Sequence, residues 1–595
     1  MYDAPRSPHT FHIPVMGTGF MIDAPLRLAR YGIGSVISLV DDALIEQMRA
    51  HYCRQEAEPY EKIADGDEDA RARRITAYLN LVDRIVRRQV NQLRAAPFVP
   101  GSEITRYYEL LPESPLLEEY RAMRVATDPD DRRRRQERLR RSAVSGSCDV
   151  NIMAKGDREP YRNGEKLPSR FSDASAALRG FAESSLRSSL VLSAGMNPRL
   201  YGYLGEFPDF FPDEAGQLRK TIILKVGDYR SAEIQAKYLA KRGLWASEFR
   251  VESGLNCGGH AFPSRGRLLG PILEEFREKR DRLIDALHTI YSRALAARGG
   301  TAGSEPRPVR LTVQGGIGTA AEDRMLREFY GVDGTGWGTP FLLVPEVTNV
   351  DDAHLELLIS ATAEDVVLSN CSPFGLPFWS LRTSASEATR RRRIDEGRPG
   401  SPCTKGYIKL FNTEFTSQPI CTASQQYQQQ KLRQLAEQDL PEDQRAAILE
   451  SVLGKSCICH DLAGGATQKH GIDPEATPAV CCGPNIIHFS RRASLEEMVG
   501  HIYGHISLLL KNTPRPHMLL RELALYLDYL RDLLAKHGIG LFAASPDYFC
   551  EFTANLREGI DLYRRQAEHV AHEALPSFLS ELDRLAASLD AVAAP

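Results

Sequence analysis

His260 lies in the segment ESGLNCGGHAFPS, Glu252–Ser264, which follows a stretch of strand character. An imidazole presented from a strand end is suited to general-base work, because its ordinary pKa lies near physiological pH. Gly258 and Gly259 remove side-chain bulk beside it. Taken alone, the segment fits a loop-capping histidine better than a base. Cys257 reads as a small apolar filler, since a reactive thiol needs a lowered pKa. Two further Gly-containing loops follow apolar strand-like runs. VQGGIGTAAED carries Gly315 and Gly316, and DGTGWGTPF carries Gly336, Gly338 and Thr339. Missing side chains let the backbone come close to a ligand, and helix N-terminal amides after such a turn suit a phosphate. Each loop alone is an ordinary turn, whereas the ordered pair forms the two halves of a phosphate site.

Cysteine supplies the other constellation. The chain has 11, and seven fall between Cys371 and Cys482. KSCICHDLAGG places Cys457 and Cys459 around one residue with His460 next, and AVCCGPN places Cys481 beside Cys482. Thiolates from several loops hold zinc or an Fe–S cluster. No paired CxxC pattern occurs, so buried thiols and a redox disulfide stay open beside metal binding. His501 and His505 are spaced i, i+4, but the residues between them do not make HExxH, so they read as helix-face residues. His569 and His572 read the same way. The basic runs Arg132–Arg135 and Arg390–Arg393 read as solvated helix faces.

The elements that must position these residues alternate. IPVMG, then DAPLRLARYG, then SVISLV read as strand, helix and strand, which is a parallel βαβ unit. Strand-like segments return at 148–155, 189–196, 220–228, 247–254, 310–318 and 332–344, with helical patterns between several of them. This alternation predicts an α/β fold, a (β/α)8 TIM barrel, with a doubly wound open sheet as the other arrangement of the same pattern. The expected organisation has the first part of the barrel at 1–45 and a helical insertion at 46–144. The rest of the barrel follows at 145–370, a Cys-containing loop and helix region at 371–490, and a mainly α-helical C-terminal region at 491–595. The pattern predicts one long helix over SLEEMVGHIYGHISLLLKN and another from EFTANLREG to the end.

The order IPVMGTGF, CDVNIM, GLNCGGHAF, VQGGIGTAAE and GVDGTGWGTPFL resembles the nitronate monooxygenase (2-nitropropane dioxygenase-like) family. Those are FMN-dependent TIM barrels related to the FMN-dependent enoyl-acyl-carrier-protein reductases. The resemblance spans roughly residues 11–45 and 145–350. It implies that Met16 and Gly17 sit against a flavin and that Asn151 hydrogen-bonds its ring or ribityl chain. It matches Gly258, Gly259 and His260 to the family's GGH, whose His is the substrate-facing base. It matches Gly315 and Gly316 to the phosphate-binding Gly pair, and Gly338 and Thr339 to the second phosphate loop. Asn256 and Cys257 depart from the acidic or small residue plus Ala that usually precede GGH. Lys225 receives no role.

The implied activity is an FMN-dependent oxidoreductase in which His260 abstracts a substrate proton and electrons pass to FMN. A reductase coupling FMN to an Fe–S centre on Cys457, Cys459, Cys481 and Cys482, acting on an activated alkene or other small substrate, is the second expectation. It would call for an electron-transfer partner. A non-catalytic flavin-binding scaffold is the third. With 75 Lys and Arg against 78 Asp and Glu, the chain has no electrostatic bias toward nucleic acid. No apolar run of about 18 residues predicts a membrane span, and the N-terminus lacks the basic-then-apolar order of a secretory signal. A cytoplasmic location is expected. The sequence does not fix the oligomeric state.

Overall fold

The computed structural model describes residues 7–153, 157–159, 161–162, 165–402, 412–511 and 514–593. Cys403, in the SPCTKGY segment, lies outside them. Strands β1 (Phe11–Ile13), β2 (Gly34–Ser38) and β3 (Cys148–Ile152) begin the sheet, and a small hairpin, β4 (Tyr161–Arg162) with β5 (Glu165–Lys166), stands apart from it. Strands β6 (Ser189–Leu192), β7 (Thr221–Val226), β8 (Ala246–Glu252), β9 (Arg310–Gln314) and β10 (Gly334–Gly336) complete it. The eight strands close into a barrel in the order β1-β2-β3-β6-β7-β8-β9-β10, and β10 returns to β1 with Phe11 opposite Thr335. Every pairing in the barrel is parallel. The fold is a (β/α)8 TIM barrel with additional helices, and closure decides against the open sheet. Strand ends that carry Asn151, Glu252 and Gln314 therefore share one rim, where barrel ligands bind.

Short helix α1 (Ala24–Leu28) links β1 to β2. Helices α2 (Asp42–Gln55), α3 (Ala70–Ala95), α4 (Glu103–Glu109), α5 (Pro115–Val125) and α6 (Pro129–Ser142) then fill the long connection to β3. Asp41 starts α2 by accepting the Leu44 N–H, and Ser102 and Ser114 cap α4 and α5 in the same way. The insertion is knit to the barrel. Arg71 of α3 donates to the carbonyls of Leu39 and Val40 just beyond β2, and Thr76 donates to the carbonyl of Gly180. Gly180 lies in α7 (Asp173–Ala182), where an added Cβ would stand 2.7 Å from the Ala72 carbonyl oxygen. The basic run on α6 is paired, Arg135 with Glu119 and Asp131 and Arg134 with Asp131, as expected of a solvated face.

Helices α8 (Pro198–Tyr203), α9 (Tyr229–Ala240), α10 (Leu269–Ala297) and α11 (Ala320–Glu328) follow β6, β7, β8 and β9. The expected strand at 332–344 stops at Gly336. Phe341 to Leu343 belong to a 3-10 turn, Thr339–Leu343, because Pro340 has no N–H for a ladder. Beyond it come α12 (Asp352–Ile359), an antiparallel hairpin of β11 (Val366–Ser369) and β12 (Phe378–Leu381), and α13 (Ala385–Asp395).

The later helices are α14 (Gln425–Glu437), α15 (Glu442–Leu453), α16 (Ile458–Lys469), α17 (Leu495–Ile502), α18 (Met518–Gly538), α19 (Pro546–Val570) and α20 (Leu575–Ala593). Helix α17 opens on a capping box of Ser494 and Glu497 but ends at Ile502, short of the expected length, and Gly504 beyond it has φ +82°. The final helical run is two helices, separated at Ala571–Ala574. One continuous apolar core joins insertion, barrel and C-terminal helices. Val36, Val191 and Ile223 form a separate layer inside the barrel, with Val15 packed on it. No described helix is long and apolar enough to cross a membrane.

Candidate functional site

A cavity opens at the C-terminal rim of the barrel, with about 230 Å³ open to the centres of water molecules. Met16, Gly17, Asn151, Gly258, Gly259, His260, Gly315, Gly316, Gly336, Gly338 and Thr339 all line it. Residues spread over more than half of the chain thus meet in one chamber. Neither loop conformation nor proximity is incidental. Gly316 has φ +76°, and a Cβ there would stand 2.0 Å from the Asn256 side-chain nitrogen. At Gly258 a Cβ would stand 2.9 Å from the Gly483 backbone nitrogen.

His260 sits half-buried at the mouth. Its Nε2 lies 2.7 Å from the Ser372 hydroxyl, and its ring meets Phe378 edge-on with centroids 4.9 Å apart. Backbone bonds from Ala261 N–H to Pro377 and from Trp379 N–H to Gly259 hold the segment against the β11–β12 hairpin. Phe262 and Phe374 add apolar wall on the same side. His260 thus both ties its loop to the hairpin region and lines the cavity.

Polar groups face the chamber from the strands. Lys225 Nζ lies 3.0 Å from Glu252 Oε1, which also accepts from Gln314 Nε2 at 2.6 Å. Among the described residues, no donor reaches Asn151 Oδ1 or Asn256 Oδ1, although both atoms are buried and both residues line the cavity. Unpartnered buried acceptors cost free energy, and a ligand that donates there would remove that cost. A flavin ring N–H and ribityl hydroxyls are donors of that kind. The residues present fit FMN.

The phosphate end is partly different from expectation. Of the amides around the α11 N-terminus, Glu322 N–H is taken by Thr319 Oγ1 and Gly318 N–H by the Glu322 carboxylate. The Gly315–Gly316 turn and the Gly338–Thr339 segment face the same cavity. Arg515, from the segment before α18, bonds both the Glu322 carboxylate at 2.7 Å and the Gly316 carbonyl at 2.5 Å. Burial favours a neutral Glu322, but the Arg515 guanidinium more than offsets this and holds its pKa below the usual range.

The C-terminal half roofs the chamber. Phe374, Leu376, Phe378, Leu462, Cys481 and Asn485 line it. Gly483 N–H donates to Thr339 Oγ1 at 3.1 Å, and Asn485 Nδ2 donates to the Ile317 carbonyl at 3.0 Å. Burial pushes the Cys481 thiol up to about 12 and the Cys257 thiol well above its ordinary value, so both stay protonated. That is the behaviour of fillers.

The four candidate cysteines do not converge on one cage. Cys457 and Cys459 face each other with sulfurs 3.8 Å apart, while Cys481 lines the cavity. Among the described residues, no group of three or more His, Cys, Asp or Glu side chains is placed to hold a metal ion. His501 donates to or accepts from its surroundings structurally, with Nε2 at 3.0 Å from the Gly318 carbonyl and Nδ1 receiving the Leu508 N–H. His505 lies beyond the helix end.

Sequence reasoning missed Ser372, Phe374, Phe378, Asn485 and Arg515, and left Lys225 unassigned. All but Lys225 lie outside the barrel segments, and nothing in their spacing ties them to it. No protein-family model and no curated protein matches the chain.

Proposed function

We propose that the chain is an FMN-dependent oxidoreductase with chemistry like that of the nitronate monooxygenases. The observation that carries this reading is the meeting of His260 with the ten expected flavin-contacting residues around a single cavity. In this reading Gly315, Gly316, Gly338 and Thr339 would hold the FMN phosphate. Asn151 and Asn256 would accept from ring or ribityl donors, and Met16 and Gly17 would line the flavin. Bound FMN would supply the two-electron chemistry.

His260 takes a proton from a small substrate, and the Ser372 hydroxyl on Nε2 fixes the ring's orientation. Phe262, Phe374 and Phe378 keep water from the substrate side and favour an apolar or aromatic substituent. The Lys225 ammonium places positive charge beside the reacting region, balanced by Glu252. An anaerobic absorption spectrum of the purified chain, with flavin released and identified, tests the reading. Bound FMN at one equivalent supports it, and a protein that neither carries nor takes up FMN overturns it.

A further inference from the structure

Cys457 and Cys459 stand where α16 begins, and their use in the flavin chemistry is not required. Cys457 is the N-cap of α16, a helix of 12 residues, and its sulfur lies 3.8 Å from that of Cys459. Both side chains are only partly buried. Burial pushes the thiols of Cys53, Cys148, Cys257, Cys371, Cys481 and Cys482 up. Cys457 is the opposite case, drawn down to about 7 chiefly by hydrogen bonding from Cys459. A thiolate at a helix N-terminus is also favoured by the amides there. Two thiols are too few for an Fe–S cluster, and no group of three or more His, Cys, Asp or Glu side chains among the described residues is placed to hold a metal ion.

We propose that Cys457 and Cys459 are a redox dithiol that hydrogen peroxide closes to a reversible intrachain disulfide. The Cys457 thiolate attacks the peroxide oxygen, the O–O bond breaks, and Cys457 becomes a sulfenic acid as the leaving oxygen takes a proton and departs as water. The Cys459 thiol then attacks that sulfur, its proton leaves with the hydroxyl as a second water, and the S–S bond forms. The thiols lose two electrons together and hydrogen peroxide gains them. Bond formation closes the sulfurs from 3.8 Å to about 2.05 Å.

The pair is wired to the cavity through short paths. Ser456, the residue before Cys457, donates its N–H to the Cys371 carbonyl, and Cys371 precedes Ser372, the partner of His260. Three residues after Cys459, Leu462 lines the cavity and its carbonyl accepts from Gly19 N–H. The site thus lies on the structural support of the roof, and its chemistry does not depend on whether flavin is bound.

Tryptic mass spectrometry of the intact, reduced chain decides the matter. Cleavage after Lys455 and Lys469 yields one peptide, SCICHDLAGGATQK, whose cysteines are Cys457 and Cys459 alone. After limited hydrogen peroxide and then iodoacetamide, this peptide is expected to lose the mass of two hydrogens and carry no alkyl group. Dithiothreitol should restore both alkylation sites. In Cys459→Ser, dimedone should trap the sulfenic acid on Cys457. A peptide that keeps both thiols after exposed Cys550 has been oxidised overturns the proposal. So does iron with acid-labile sulfide at stoichiometric levels.

Discussion

The Nε2 atom of His260 and the hydroxyl of Ser372 lie 2.7 Å apart across 112 residues of sequence. The barrel supplies the imidazole, and the hairpin region beyond the barrel supplies the group that orients it. The two parts of the chain thus meet on one imidazole.

Removing that hydroxyl should separate orientation from cofactor binding. A hydrogen bond to a group that becomes charged is worth about 1.5–3 kcal/mol. Ser372→Ala is therefore expected to lower kcat by roughly ten- to a hundredfold, with FMN content unchanged. Ser372→Thr should recover part of the loss, and the pH profile of kcat should shift in the alanine variant alone. His260→Ala should cost more, about 10²–10⁴-fold in turnover. Parallel measurement of turnover and flavin content checks both.

At the phosphate end, Gly316→Ala should weaken FMN binding. A left-handed conformation costs a residue with a Cβ roughly 1–2 kcal/mol, and the new methyl must also displace Asn256, whose side-chain nitrogen bonds the Met518 carbonyl. Flavin titration followed by fluorescence quenching should show a dissociation constant raised at least about tenfold.

Arg515 and Glu322 form a buried ion pair, 9% and 3% exposed. Breaking such a pair from one side costs about 3–5 kcal/mol because the other charge is left uncompensated. Arg515→Met is expected to lower stability in urea by that order and to loosen the Gly316 turn. The double variant Arg515→Met with Glu322→Gln should recover much of the stability, and a double-mutant cycle measures the coupling.

Glu522 of α18 is fully buried beneath the His260 loop, where it accepts from Ser253 Oγ and Leu269 N–H. Burial raises its pKa to about 7, against the partial opposition of those two hydrogen bonds. The unfolded chain releases this proton near the ordinary carboxylate value, while the folded chain holds it up to about pH 7. Between those values the folded state binds more protons, so this group's contribution to stability falls as pH rises through the window and levels off above about 7. Thermal unfolding from pH 5 to 8 should show that decline in the parent chain and a flatter profile in Glu522→Gln. The difference in unfolding free energy should span on the order of 3 kcal/mol.

Much of the barrel was legible because its period is local. SVISLV and KTIILKVGD have the apolar continuity of strands buried on both faces, and glycines punctuate the rim loops. The 332–344 segment misled because apolar continuity alone does not distinguish a strand from the 3-10 turn that Pro340 imposes. Helix α16 was hidden by paired glycines, Gly464 and Gly465, which fit there because Pro478 and the Asn349 carbonyl press against them. The presence of His260 on a glycine-rich rim loop was readable from its segment, and the base role rested on the family resemblance. Ser372 and Arg515 were not, because their relation to the barrel exists only in the packing of distant segments.

The bond from Gly483 N–H to Thr339 Oγ1 spans 144 residues. A ribosome adding about 5–20 residues each second makes Gly483 roughly 7–30 seconds after Thr339. Through that interval the nascent barrel has both glycine-rich loops but lacks the Gly483 and Asn485 contacts that fasten the roof to them. The order of translation leaves the chamber open to a ligand before the chain that seals it has been made.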